Sequence, residues 1–245
     1  SLDPVFAGAD AVFHTAALAR VQPSIQNPGP SHAANIDGTF NVLAAARRAG
    51  VRRVIYSASS SAYGNQERLP LSEDMAARPM SPYALQKFVG EQYCRLFAEL
   101  YGLQTVSLRY FNVYGPRQTT AADGPYATVI GIFLEQKKRG QPLTVVPDGT
   151  QRRDFTHVRD VVAANPLAME SDRVGRGEVV NIGTSRNYSV REAADLIGGP
   201  SVFADPRVEP RETLADISLA KKLLGWEPAV RFEDGIAELK EAYGL

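Results

Sequence analysis

Apolar positions change their period repeatedly along the chain. Ala11–Ala17 (AVFHTAA) is a short apolar run, which predicts a buried strand. From Asn35 to Ala49 apolar residues recur at helical spacing, and Gly50 ends the run. Val51–Ala58 predicts a second strand and Thr105–Val113 a third. Between them Ser81–Tyr101 predicts a long helix, with Ser81 as N-cap, Pro82 in the first helical position and Gly102 past the end. Further on, helices are predicted over Tyr126–Arg139 and Val158–Glu170, the latter with Pro166 awkwardly inside it. Short strands follow at Leu143–Val146, Val179–Ile182 and near Val202. Helices are predicted at Val190–Ile197 and near Ser218–Leu224 and Phe232–Tyr243. Strand–helix alternation of this kind predicts an α/β fold, a doubly wound parallel sheet covered by helices. Two loop-rich regions, 115–125 and 199–215, read as binding loops.

Composition narrows the function classes. The chain has 245 residues, enough for one large domain or two small ones. Lys+Arg and Asp+Glu both total 27, and this zero balance argues against a nucleic-acid or membrane-surface protein. No apolar run is long enough for a transmembrane span, and SLDPVFAGAD lacks the features of a signal peptide. The single cysteine, Cys94, excludes an internal disulfide, fits a cytoplasmic location and reads as helix packing.

Two constellations carry chemistry. Tyr83 and Lys87 are four residues apart on the long predicted helix, so they share a face. A nearby ammonium favours a phenolate, and such a tyrosine can take a proton from an alcohol. The plainer alternative is a core-facing tyrosine beside a solvated lysine. Ser57-Ala-Ser59-Ser60-Ser61-Ala-Tyr63-Gly64 follows a predicted strand, where parallel sheets bind ligands. The alternative there is a serine-rich turn.

Taken together, and with further landmarks in order, these stretches resemble the extended short-chain dehydrogenase/reductase family. The resemblance is closest to NAD-dependent sugar-nucleotide 4-epimerases of the UDP-glucose/UDP-N-acetylglucosamine type. The landmarks are FHTAA at 13–17, NIDGTFNVL at 35–43, YSASSSAYG at 56–64, SPYALQK at 81–87, LRYFNVYGPRQ at 108–118, GTQRRDFTHVRDVV at 149–162, NIGT at 181–184 and LADIS at 214–218. The implied architecture is Rossmann-like. Residues 1–115, with 154–184 returning, would form a partial NAD-binding domain. Residues 116–153 and 185–245 would form a smaller substrate domain.

The resemblance also implies roles. Tyr83 would be the base, Lys87 would bind the nicotinamide ribose and tune the tyrosine, and Ser59 would bridge Tyr83 to the sugar 4-OH. His14, Ala16, Ala17, Asn35, Ser57 and Tyr110 would line NAD. Ser60, Ser61, Asn112 and Arg153 would meet the UDP-sugar. Arg207 would supply a second diphosphate arginine, with Arg211 competing for that role, and Thr213 would gate the sugar pocket. No role falls to a metal. His14 and His157 read as packed histidines. A homodimer through helices 36–49 and 82–101 is implied.

Absences sort the chain within the family. Related dehydratases place an Asp-Glu pair where this chain has Ser60 and Ser61. A decarboxylase glutamate and a reductive-epimerase cysteine are missing from the same loop, leaving 4-epimerisation. Small Thr213 and the serine triplet 59–61 resemble members that accept N-acetylated or carboxylated sugars. No G-x-x-G-x-x-G or G-x-G-x-x-G occurs. The family pattern places that loop in roughly 55–65 further residues before Ser1. Without it, weak NAD binding is expected, and strand 11–17 is expected to be an apolar edge. A same-fold ketoreductase and a non-catalytic UDP-sugar-binding remnant remain open as alternatives.

Overall fold

The computed structural model describes residues 2–120, 127–205 and 210–245. Its element order is α1 (Asp3–Phe6), β1 (Ala11–His14), α2 (Val21–Gln26), α3 (Pro28–His32), a π-helical turn (Ala33–Asp37), α4 (Gly38–Arg48), β2 (Arg53–Ser59) and a 3₁₀ turn (Ser60–Tyr63). Then come α5 (Pro82–Tyr101), β3 (Gln104–Tyr110), α6 (Val129–Lys138), β4 (Leu143–Val145), β5 (Arg152–Arg153), α7 (Val158–Glu170), β6 (Arg176–Ile182) and β7 (Tyr188–Ser189). The chain closes with α8 (Val190–Ile197), β8 (Ser201–Phe203), α9 (Ser218–Leu224) and α10 (Phe232–Tyr243).

β1, β2, β3 and β6 form one parallel sheet in that order. β2 shows how it is covered. Val54, Tyr56 and Ala58 pack with α4 and α5 residues such as Leu43, Cys94 and Phe97. Ile55 points the other way, into a cluster with Val161 and Ala164 of α7 and Ala220 of α9. Period-two side chains thus feed two helical layers, as a doubly wound sheet requires. A separate apolar cluster joins α6, β4, α8 and α10 through Phe133, Leu143, Ile197 and Ile236. β1 lies at one edge of this sheet among the described residues, and its Phe13 is 45% exposed.

α7 is fixed at both ends. The buried Arg53 guanidinium donates to the carbonyls of Ala168, Met169 and Ser171, and to Val174 just beyond. A cation there complements the helix dipole. At the other end the Asp160 carboxylate accepts the N–H groups of Ala229 and Val230, and the Asp160 carbonyl accepts Trp226 Nε1 at 2.9 Å. α7 runs through Pro166, whose missing bond would have gone to the carbonyl of Val162; that residue is exposed.

Two expectations change. The strand expected over 11–17 ends at His14, where the Thr15 N–H turns back to the Phe13 carbonyl at 3.1 Å. Beyond that turn the Asn35 amide clasps Leu18 on both its N–H (2.8 Å) and its carbonyl (3.1 Å). The helix expected from Asn35 belongs to a longer run that starts at Pro28 and contains the π turn, where Gly38 N–H bonds back to the Ala33 carbonyl. Asn35 sits inside that turn, the kind of local distortion that re-aims a side chain.

Candidate active site

The predicted residues converge at the carboxyl ends of β1, β2 and β3. Ser81 caps α5 as expected, its Oγ accepting the Ala84 N–H at 3.2 Å, and Gly102 closes the helix at φ +70°. This fixes Tyr83 in the first turn and Lys87 one turn later. Lys87 is 3% exposed. Its Nζ donates to the Ser57 carbonyl at 2.8 Å and lies 4.9 Å from the centre of the Tyr56 ring. Burial pulls its pKa from 10.5 to about 8, against opposing charges from Cys94 and Glu91.

Gly90 explains how the helix comes so close. A Cβ there would collide with the Tyr56 hydroxyl. One turn past Lys87, buried Glu91 takes a bidentate bond from Arg109 of β3 at 2.9 and 2.7 Å. The Arg109 guanidinium in turn covers the Tyr63 ring at 4.4 Å.

Ser59 ends β2 and caps the 3₁₀ turn, its Oγ accepting the Ser61 N–H (3.2 Å) and the Ser61 hydroxyl (2.8 Å). Burial pushes the Tyr83 phenol up, while Ser59 and the charge of Arg20 pull it down. Sequence reasoning assigned the tuning cation to Lys87. In the structure the Lys87 ammonium bonds the Ser57 carbonyl, one turn after Tyr83 on α5. Ser60 is partly buried in the turn after Ser59.

The residues expected to line NAD fall into two hydrogen-bonded groups. Ser57 Oγ donates to Tyr110 Oη at 3.3 Å, and Tyr110 donates to Asn165 Oδ1 of α7 at 3.1 Å. His14 Nε2 lies 3.0 Å from Thr39 Oγ1, whose own proton goes to the Asn35 carbonyl. His14 is therefore the donor in that pair. Burial and Lys87 lower its pKa to about 4, so it is a neutral packed group and no proton shuttle at pH 7. Ala16 and Ala17 lie in the loop that Asn35 pins.

A second group gathers Asn112, Arg153, Asp154 and Thr213. Asn112 adopts φ +27° at the end of β3, where asparagine is better tolerated than most residues. Its Nδ2 donates to the Asp154 carbonyl (3.1 Å) and to Thr213 Oγ1 (3.2 Å), so the expected gate residue is clasped from inside. Arg153 is buried, with Nη1 on the carbonyls of Arg152 and Arg211. The Arg211 backbone thus stands beside Arg153, whereas Arg207 lies outside the described residues.

Asp154 accepts from Thr184, Ser185 and Ala215 and ties this group to the end of β6. His157 is fully buried and caps α7 through Nδ1. Burial raises the Cys94 thiol to about 12, which leaves it inert. Sequence reasoning missed Arg20, Glu91, Arg109 and Asn165. Glu91 was detectable, because it continues the four-residue spacing of Tyr83 and Lys87.

The sequence model of the NAD dependent epimerase/dehydratase family matches residues 1–183. A putative UDP-glucose 4-epimerase of Methanocaldococcus jannaschii is 36% identical over 239 residues, which covers 94% of this chain and 76% of that protein. The solved structure of a UDP-N-acetylglucosamine 4-epimerase from Methanobrevibacter ruminantium, in complex with UDP-N-acetylmuramic acid, superposes with a TM-score of 0.90. It is 35% identical and covers 97% of this chain and 77% of that one. A UDP-glucuronic acid 4-epimerase from Bacillus cereus, solved with UDP-glucuronic acid and NAD, gives a TM-score of 0.90 at 31% identity, covering all of this chain and 78% of that one.

Proposed function

Because the chain belongs to the NAD-dependent epimerase/dehydratase family, we propose that it inverts C4 of a UDP-sugar through a transient 4-keto sugar, with Tyr83 as the base. The observation that carries this reading is the buried Lys87 ammonium one turn after Tyr83, bonded to the Ser57 carbonyl near the end of β2, at the carboxyl ends of parallel strands.

NAD is the family's cofactor, and the residues fit its nicotinamide end. Lys87 has three N–H donors and gives one to Ser57, which leaves donors for ribose hydroxyls. His14, Ala16, Ala17, Asn35, Ser57 and Tyr110 frame the same space. When bound, NAD supplies reversible hydride acceptance at C4.

The chain's own residues do the rest. Tyr83 takes the 4-OH proton while Ser59 holds both oxygens in line. The neutral phenol that results can return the proton to the opposite face after the keto sugar turns over. Asn112 and Arg153, with Arg207 or Arg211, anchor the UDP moiety by charge-assisted bonds, so the sugar can rotate without leaving. Ser60 and Ser61 offer no carboxyl for dehydration.

The substrate we favour is an N-acetylated UDP-hexose. Small Thr213 and the triplet Ser59–Ser61 support it. Comparing turnover of UDP-N-acetylglucosamine with UDP-glucose tests it; a strong preference for UDP-glucose would overturn this choice, and no 4-epimerisation of either by the NAD-loaded protein would overturn the function.

We further assign a homodimer through 36–49 and 82–101, in a reducing, cytoplasmic compartment. Phe40, Leu85, Leu96, Leu100 and Tyr101 stand 40–66% exposed on α4 and α5, an apolar face that a second copy would cover. Light scattering that returns a monomer mass would sink the dimer.

A further inference from the structure

The first turn of α5 carries the base, and a helix start leaves its first N–H groups without intrahelical partners. In α5 each of them can be followed to its acceptor. Pro82 has no N–H to place. The Ala84 N–H goes to Ser81 Oγ at 3.2 Å, and the Leu85 N–H goes to the Ser81 carbonyl at 3.0 Å. The Tyr83 N–H is the one that this local cap leaves over. It is taken by a residue 59 positions away: Ser24 Oγ of α2 accepts it at 3.1 Å.

Ser24 faces Tyr83 in one sense only. It is 1% exposed, and its own proton goes to the Val21 carbonyl at 2.7 Å. The hydroxyl therefore meets Tyr83 as an acceptor, which is what a backbone N–H requires. α2 is in turn held on both flanks. Arg20, the residue before it, donates through Nη2 to Thr119 Oγ1 at 2.7 Å, in the segment between β3 and α6. Beyond it, Ser31 Oγ of α3 and Asn35 Nδ2 lie 3.0 and 2.9 Å from the side-chain amide of Gln86, on the same helix as Tyr83. The base is thus seated on a segment that is itself fastened before and after the contact.

We propose that Ser24 is a positioning residue for the proton transfer: by accepting the Tyr83 N–H it fixes the backbone from which the base projects, and so sets the reach of the phenol to the sugar hydroxyl. Ser24 acts through Tyr83 and leaves substrate contact to others. The proposal rests on the reading of Tyr83 as base. Displacing a reacting group by about 1 Å can cost on the order of a hundredfold in rate, so the anchoring of this one peptide matters. Ser81 holds the neighbouring N–H groups, and Ser24 holds the peptide of Tyr83 itself.

Two readouts on the full chain test it. Amide hydrogen exchange, resolved at single residues, reads the bond whether or not the protein turns over. In Ser24→Ala the Tyr83 amide is expected to exchange about tenfold faster, while the Ala84 and Leu85 amides change less than about twofold. Unchanged exchange at Tyr83 overturns the proposal. Equal acceleration at all three also overturns it, by showing a general loss of the helix start. The second readout is kinetic, with NAD supplied. Ser24→Ala is expected to lower kcat about tenfold while UDP affinity, by calorimetry, holds within about twofold. Ser24→Thr keeps the accepting oxygen and is expected to recover kcat to within about threefold of wild type. Unchanged kcat in Ser24→Ala overturns the proposal, and so does a Ser24→Thr variant as slow as Ser24→Ala. Should Ser24→Ala fail to fold, Ser24→Cys carries the test, since sulfur nearly keeps the volume but accepts weakly: exchange at Tyr83 is expected to rise at least about threefold, and no change overturns the proposal. Turnover of a UDP-sugar by the wild-type protein is a separate readout. Its failure removes the reading of Tyr83 as base and leaves the exchange result to decide whether Ser24 holds that residue in place.

Discussion

Replacing Lys87 with methionine isolates the energetic consequence of burying an ammonium. Lys87 is 3% exposed and its pKa falls from 10.5 to about 8. The folded value lies below the unfolded one, so between them the unfolded chain keeps a proton that the fold releases. Stability contributed by this group is therefore lowest below pH 8 and rises with pH toward 10.5. At 1.36 kcal/mol for each pH unit crossed, the wild type should gain about 2 kcal/mol over Lys87→Met between pH 7 and pH 9.5. Comparing the two proteins cancels the other titrating groups. Urea unfolding at several pH values, followed through the fluorescence of buried Trp226, measures the gap. A gap that stays constant from pH 7 to 9.5 would refute the reasoning. The same loss of charge predicts that turnover falls above about pH 8, as the cation beside the ribose is neutralised.

Tyr83→Phe should lower kcat about 10²- to 10⁴-fold while UDP affinity and melting temperature hold, checked by coupled assay, calorimetry and thermal unfolding. Glu91→Gln leaves Arg109 buried without its carboxylate and should lose about 3–5 kcal/mol in urea unfolding; a loss under 1 kcal/mol would mean water reaches the pair. Gly90→Ala forces α5 away from the Tyr56 hydroxyl, so it should lower stability and turnover together. Intact turnover in that variant would show that Lys87 tolerates a displaced helix.

Local rules made some of this legible in advance. The Ser81 cap, Pro82 and Gly102 bound α5 by chemistry within a few residues, and four-residue spacing put Tyr83 and Lys87 on one face. The clasp of Asn35 on Leu18 was not legible, because it spans 17 residues. α2 and α3 were missed because Pro23, Pro28, Gly29 and Pro30 read as breakers, although Pro28 occupies a helix start, where proline fits. Arg20 carries no local mark, since its partner Thr119 comes much later in the chain. The serine loop announced the site, yet the partners of Lys87 and Arg20 depend on the packing of separate segments.

Arg53 of β2 holds one end of α7, and at the other end Asp160 of α7 itself holds the approach to α10. Cooperative unfolding follows. The helix cannot fray at its far end without unbinding β2, nor at its near end without releasing the chain at Trp226–Val230. The amides of Ala229 and Val230, although in a connecting segment, should exchange hydrogen as slowly as those of the central strands. The C-terminal segment then acts as a fastener for the catalytic layer, and cutting the chain near residue 228 would loosen Tyr110 through Asn165 on the same helix.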